Sequence, residues 1–266
     1  MRKLIIGLML ITILASLTVF TGCVRVDMSE KNGPITSRSY DFTDFTGVEV
    51  GNAFELEVVR ADTYSVNITA GENIMDRIRI AETGGVLKIT LDGWSFSWWW
   101  LNNPKVTITM PVLKSLNLSG ASQGTATGFK SAEDFMLKLS GASNLDMDME
   151  TGYFTSEISG ASSVGGRLTA AGCDIDLSGA SDINVTGSGG DIKIHGSGAS
   201  HAELFYFTVN NADAELSGAS SAHLEVKGRL DVDLSGASTL EYLGNPTLGK
   251  QDVSGASDLK QAKIKD

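Results

Sequence analysis

The sequence predicts an all-β protein built as a parallel β-solenoid, a β-helix of the right-handed kind, and three observations predict it. First, Ser-Gly-Ala-Ser recurs eight times, with its glycine at Gly120, Gly141, Gly160, Gly179, Gly198, Gly218, Gly236 and Gly255, at intervals of 21, 19, 19, 19, 20, 18 and 19 residues. A near-fixed period of this size marks stacked supersecondary units. Second, the residue before each motif is Leu118, Leu139, Ile158, Leu177, Gly196, Leu216, Leu234 or Val253, apolar in every copy but one. Two residues beyond the motif stand Leu145, Val164, Ile183, Ala202, Ala222, Leu240 and Leu259, with Gly124 in the first copy, so a short strand precedes each motif and another follows it. Third, thirty glycines against four prolines favour many short strands and tight turns. A 19-residue unit cannot bury its own apolar face, so about eight rungs must share one core. With strands about 4.8 Å apart, seven intervals give a column on the order of 34 Å long.

In chain order, residues 1–23 form a targeting segment: Arg2 and Lys3 are followed by the apolar stretch Leu4 to Phe20 and by Phe20-Thr21-Gly22-Cys23. This ending resembles the lipobox of bacterial lipoproteins, which implies lipidation of Cys23 and attachment to a membrane through that lipid. An ordinary secretory signal or a single membrane anchor is the alternative. Val24 does not resemble the aspartate that retains some lipoproteins in the inner membrane, which favours the outer membrane or cell surface over the periplasmic side. Residues 24–39 are polar without an apolar period and read as a flexible tether. Residues 40–115 are strand-rich, with Phe54, Leu56, Val58; Tyr64, Val66, Ile68; Leu87, Ile89, Leu91; and Val106, Ile108, Met110 alternating with polar neighbours. Only Glu72 to Arg79 has the character of a helical turn. Residues 116–266 are the repeat solenoid.

Within each copy the motif is a corner, since glycine permits a backbone conformation closed to other residues and alanine is small enough for a tight bend. Both serines can bond to local backbone or to the serine of the next rung. In copy five Gly196 replaces the core leucine, which predicts a dent or bulge there. The outward position two before the motif reads Asn117, Lys138, Glu157, Asp176, His195, Glu215, Asp233, Asp252. Its three consecutive acids at the end are a solvated face or a weak cation site. Lys260, Lys263 and Lys265 would charge the last rung against edge-to-edge pairing.

Charge narrows the partners. The chain has 21 basic and 32 acidic residues, and loss of Arg2 and Lys3 with the leader leaves 19 against 32, a net charge of −13. That excludes nucleic acid as the expected partner, because phosphate binding needs a basic surface. It also argues against binding an anionic membrane by charge. Enzymatic signals are sparse. His195, His201 and His223 lie on different copies at non-equivalent positions, and no His-x-x-x-His, Cys-x-x-Cys or phosphate loop occurs, so no metal, no cofactor and no catalytic residue is assigned. With Cys23 lipidated, Cys173 has no disulfide partner and reads as a small core hydrophobe. All four tryptophans cluster in Trp94-Ser95-Phe96-Ser97-Trp98-Trp99-Trp100-Leu101. This stretch is either a plug on the open end of the solenoid or a candidate binding loop of Trp94, Phe96, Trp98, Trp99 and Trp100 that stacks on sugars, touches a membrane or anchors a protein interface.

The order of Asp44-Phe45-Thr46-Gly47-Val48-Glu49-Val50, then Val106-Thr107-Ile108-Thr109-Met110-Pro111-Val112-Leu113, then Leu116-Asn117-Leu118-Ser119-Gly120-Ala121-Ser122, together with the leader, resembles the putative auto-transporter adhesin, head GIN domain family. The resemblance runs from about Phe42 to the C-terminus and implies a β-solenoid of the cell surface or periplasm. It carries over no catalytic residues, and the tryptophan stretch matches none of its motifs. The function expected is therefore a lipid-anchored, non-enzymatic adhesion or interaction scaffold contacting glycans or surface proteins. The alternatives are a carbohydrate-active β-helix enzyme of the polysaccharide lyase or hydrolase type and a self-assembling structural envelope protein.

Overall fold

Each rung of the repeat region consists of two strands joined through a Ser-Gly-Ala-Ser corner, and successive rungs stack in parallel. The computed structural model describes residues 33–92 and 103–263. The strands are β1 (Ile35–Tyr40), β2 (Gly47–Val50), β3 (Glu55–Arg60), β4 (Ser65–Gly71), β5 (Ile78–Thr83), β6 (Val86–Leu91), β7 (Lys105–Met110), β8 (Ser115–Leu118), β9 (Gln123–Lys130) and β10 (Phe135–Leu139). They continue as β11 (Asn144–Ile158), β12 (Ser163–Leu177), β13 (Asp182–Ser188), β14 (Asp191–Gly196), β15 (His201–Val209), β16 (Ala212–Leu216), β17 (Ser221–Val226), β18 (Arg229–Leu234), β19 (Thr239–Leu243), β20 (Thr247–Val253) and β21 (Asp258–Gln261). A single helical turn, α1 (Glu72–Met75), lies inside the stretch expected to be helical and is shorter than it.

Two ladders result. Before the corners run β8, β10, the second half of β11, the second half of β12, β14, β16, β18 and β20. After the corners run β9, the first halves of β11 and β12, β13, β15, β17, β19 and β21. Period-two alternation sends Leu137, Leu139, Ile175, Leu177, Ile183, Val185, Leu224, Val232 and Leu234 into one core in which each is 3% exposed or less. Phe135 and Phe154 stack there with centroids 6.0 Å apart.

The corner glycines all have positive φ, from 72° at Gly255 to 80° at Gly120. At every corner from Gly141 onward, a Cβ would lie 2.3–2.7 Å from the carbonyl oxygen of the glycine one rung earlier. That same carbonyl accepts a hydrogen bond from the alanine N–H that follows the glycine, at 2.7 Å for Ala180 to Gly160 and 2.8 Å for Ala161 to Gly141. The ladder thus passes through the bend with its donors satisfied.

The N-terminal part belongs to the column, but not in sequence order. The β2–β3 rung sits beneath β8–β9, and β6 and β7 add a further rung outside β2 and β3. The chain therefore lays down the β2–β3 rung first, builds the β6–β7 rung on one side of it, and crosses back to start the repeat on the other. Gly51-Asn52-Ala53-Phe54 is the corner of the β2–β3 rung, with Asn52 at φ 69° and Ala53 at φ 64°. Asparagine tolerates that region through local hydrogen bonding, and this corner escapes a search for the motif. The β6–β7 end is closed by antiparallel strands: β5 on β6, β4 on β7, and β1 on β4. The tether expected to run through residue 39 consequently gives way to ordered strand by Ile35, because β1 finds an edge to pair with. At the other end β20 and β21 are largely exposed, with Leu248 39% and Val253 43% accessible. Lys260 there pairs with Asp258 at 2.6 Å, while Lys265 lies outside the described residues.

Gly196 produces no break in pairing. Leu177, Gly196 and Leu216 remain in register, and Leu216 Cδ2 fills the missing volume, 2.6 Å from where a Gly196 Cβ would stand. The register breaks of copies four and five fall instead between Asn184 and Gly187 and after Leu204, around Phe205-Tyr206-Phe207.

These contacts rank the glycines. Gly179→Ala combines the left-handed backbone cost of about 1–2 kcal/mol with overpacking of about 1–3 kcal/mol. Gly84, in the two-residue β5–β6 turn, has φ 62° and nothing within 4 Å of a Cβ, so Gly84→Ala carries only the first cost. Thermal unfolding followed by circular dichroism should show a clearly larger Tm loss for Gly179→Ala than for Gly84→Ala; equal losses would show that rung contact is not what excludes the side chain.

Candidate functional site

The repeated corner offers many serines, and geometry decides what they do. The second serine of each motif from Ser122 to Ser238 is buried, at 2% exposure or less. Ser122 Oγ donates to Ser119 O at 2.9 Å, Ser143 Oγ to Ser140 O at 2.9 Å, Ser220 Oγ to Ser217 O at 2.6 Å and Ser238 Oγ to Ser235 O at 2.7 Å. Contact between serines of neighbouring rungs is made by a backbone N–H, from Ser143 to Ser162 Oγ and from Ser238 to Ser257 Oγ, both at 3.3 Å. These four hydroxyls are committed to carbonyls of their own motif and so lock the bend, Ser181 Oγ donates instead to Ile158 O at 3.2 Å, and the buried Ser200 Oγ has no partner among the described residues.

The outward row is where the column meets solvent. Parallel register stacks Glu157, Asp176, His195, Glu215, Asp233 and Asp252 on successive rungs. Asp176, His195, Glu215 and Asp233, with the first serines Ser178, Ser197, Ser217 and Ser235, line an open groove of about 420 Å³. Lysines relieve the stacked acids: Lys138 Nζ pairs with Glu157 at 2.9 Å and Lys250 Nζ pairs with Asp233 at 2.9 Å, while His195 Nδ1 lies 3.3 Å from Glu215. The run of three acids at the end of the row thus already has a lysine on its central member. Next to it, hydrogen bonds from the Arg229 side chain and the Lys250 amide hold the Asp231 carboxyl down at about 2.

Polar groups thus repeat at one register along an acidic, lateral face of a β-solenoid that opens with β2 at Gly47, and the sequence profile of the putative auto-transporter adhesin, head GIN domain matches residues 44–246. This chain belongs to that family. The head GIN domain fold is shared with solved structures at low identity. A putative adhesin from Parabacteroides merdae ATCC 43184 aligns with TM-score 0.78 and 16% identity over 87% of this chain and 98% of its own. A putative adhesin from Parabacteroides distasonis ATCC 8503 aligns with TM-score 0.74 and 17% identity over 86% and 97%. A putative lipid binding protein from the same organism aligns with TM-score 0.73 and 16% identity over 87% and 98%. Among curated proteins no match is found.

In this head GIN domain chain, two of the residues singled out by sequence come together and others lie elsewhere. Cys23 and the aromatic residues Trp94, Phe96, Trp98, Trp99 and Trp100 lie outside the described residues. The histidines, unrelated by repeat position, do meet: His201 and His223 stand edge to face with centroids 5.1 Å apart, and Glu203 lies between them. His201 follows its motif by one residue and His223 follows the next motif by three, so both point outward on adjacent rungs as a diagonal pair. Comparing odd-numbered positions across neighbouring copies would have found them. Beside them, burial pushes the Asp182 carboxyl up, opposed by His201 and assisted by Glu203. Among the described residues no helix is long and apolar enough to cross a membrane.

Cys173 packs as a small hydrophobe, fully buried between Phe154 and Ile192 in the inward ladder. Burial pushes its thiol up to about 12 from an ordinary 9.0. Native chain should resist iodoacetamide at pH 8 and react once denatured. Below pH 9 the folded and unfolded chains both keep the proton; between about 9 and 12 only the folded chain does, so stability falls as pH rises through that window. Denaturant melts across the window should show a steeper decline for the native sequence than for Cys173→Ala, and parallel declines would count against a buried thiol.

Proposed function

We propose that this chain is a lipid-anchored, non-enzymatic adhesion scaffold of the cell envelope. Cys23 carries the lipid, residues 24–34 span from it to β1, and the column presents its outward rows to glycans or to proteins of another surface. The observation that carries this reading is the register: one polar position repeats on rung after rung, from Glu157 to Asp252, at the spacing of a parallel ladder. Contacts that are weak singly gain avidity when the ligand is itself a repeat, such as a polysaccharide or a crowded surface. Membership of an adhesin family and the commitment of the motif serines to backbone carbonyls support the same reading.

Immobilised full-length chain in detergent, probed on a glycan array and by pull-down from envelope extracts, tests the proposal. A retained ligand whose binding falls ten-fold or more in the triple variant Asp176→Asn, Glu215→Gln, Asp233→Asn supports contact through the groove. A loss confined to Trp98→Ala with Trp99→Ala moves the contact to the tryptophan stretch and away from the lateral row. Absence of any retained ligand, or turnover of a polysaccharide by the chain, would overturn the scaffold reading. Mass spectrometry of Cys23 from a bacterial host decides the anchor: a lipidated cysteine is expected, and an unmodified one refutes it.

A further inference from the structure

We propose that His201, Glu203 and His223 form a zinc-binding site on the lateral face of the column, next to the bulge at Phe205–Phe207. The proposal follows from register. His201 and Glu203 are two apart on β15, so they share one face of that strand. The in-register ladder then sets Ser221 of β17 beside His201 and His223 beside Glu203. Their ligand atoms all fall within 4.8 Å of one another. His223 Nδ1 lies 2.7 Å and His201 Nε2 lies 3.8 Å from Glu203 Oε2. Ligands about 2.0–2.1 Å from a tetrahedral zinc stand about 3.3 Å apart, a value those two distances bracket.

Four further features favour a metal over a chance cluster. His201 places Nδ1 on Ser221 Oγ at 2.7 Å, which leaves Nε2 as the ring nitrogen directed at Glu203. Orientation of a ligating imidazole by a hydrogen bond through its other nitrogen is the usual second layer of a metal site. The His223 ring is held by stacking on Phe205, with centroids 4.6 Å apart and planes within 8°. The ligand side chains are half-buried, at 38%, 27% and 25% exposure for His201, Glu203 and His223. They also sit in a negative setting: Asp182 stands opposite His201 on the preceding rung and Glu241 opposite His223 on the following one. Lys260, next along that row, is turned to Asp258.

Donor chemistry selects the ion. Two imidazoles and one carboxylate suit zinc, copper or nickel and not calcium or magnesium, which take oxygen ligands. Zinc has no geometric preference from its d electrons and so accepts the shape that the ladder imposes. Three protein ligands leave one position for water.

The test is cobalt and zinc titration of the full-length chain in detergent, carrying Cys23→Ser so that its thiol does not compete. One cobalt per chain should bind with visible d–d absorption and be displaced by one equivalent of zinc. His201→Asn and His223→Asn should each weaken binding ten-fold or more, Ser221→Ala should weaken it less, and His195→Asn should leave it unchanged. Circular dichroism and Tm of the metal-free variants establish that they remain folded. Binding that is not stoichiometric, or that survives in the His201→Asn, His223→Asn double variant, overturns the site; so does its loss in His195→Asn alone.

Discussion

The hydrogen bond from each corner alanine to the glycine carbonyl one rung earlier is the contact on which the column depends. It draws successive corners together until a Cβ on the glycine would collide with that carbonyl, and it does so where the backbone is already left-handed. Two requirements therefore converge on one residue type: a conformation that only glycine adopts freely, and a separation that only glycine fits. The second serine follows because an inward polar group at the bend can satisfy a carbonyl of its own motif. Glycine and the second serine of the motif thus have separate physical causes, and the repeat records both.

Parallel register has an electrostatic consequence. It stacks identical positions, so an acidic chain would stack like charges. The outward rows instead interleave cations at intervals, with Lys114 on Glu133, Lys130 on Glu150, Lys138 on Glu157, Arg167 on Asp148 and Lys250 on Asp233. These side chains are all exposed, and each such pair contributes little to stability. Their effect lies in permitting the stack: they break rows of carboxylates into short runs while the whole surface stays acidic. The sign of that surface disfavours polyanions.

Sequence made the repeat, the inward residues and the corners legible because each depends on local chemistry that recurs at a fixed period. It did not show the β2–β3 rung for what it is, since Asn52 and Phe54 replace the glycine and the second serine, and this rung, lying between β6–β7 and the first repeat, meets the motif on one side only. Nor did it show that β6–β7 stacks outside β2–β3, because strand order in space is set by which edges remain open after folding. The dent assigned to Gly196 failed for a packing reason: Leu216 on the next rung is long enough to fill the space, and filling it costs less than bending the ladder. The histidine pair was missed because the ladder brings together residues offset diagonally between copies, whereas alignment of copies compares only equivalent positions.

The spacings of the repeat separate scaffold from variable surface. They range from 18 to 21 residues, yet the corner geometry is the same at every copy. One of the two extra residues of the longest interval enters at Gly128, where the register of β9 slips against β11, the other enters within residues 131–134 between β9 and β10, and that of the 20-residue interval enters after Leu204. A late slip falls between Leu230 and Val232. None of these lies at a corner, because a corner that shifted by one residue would lose the carbonyl contact to the rungs on both sides, whereas a strand can bulge outward and rejoin its neighbours. Length variation is thus expelled to the lateral faces. The bulge after Leu204 is what brings Phe205 against His223, so the most irregular rung is also the one that gathers metal-ligating side chains. A column held rigid at its corners can carry such irregularities without loss of register elsewhere, and new contacts on this scaffold arise on its faces for that reason.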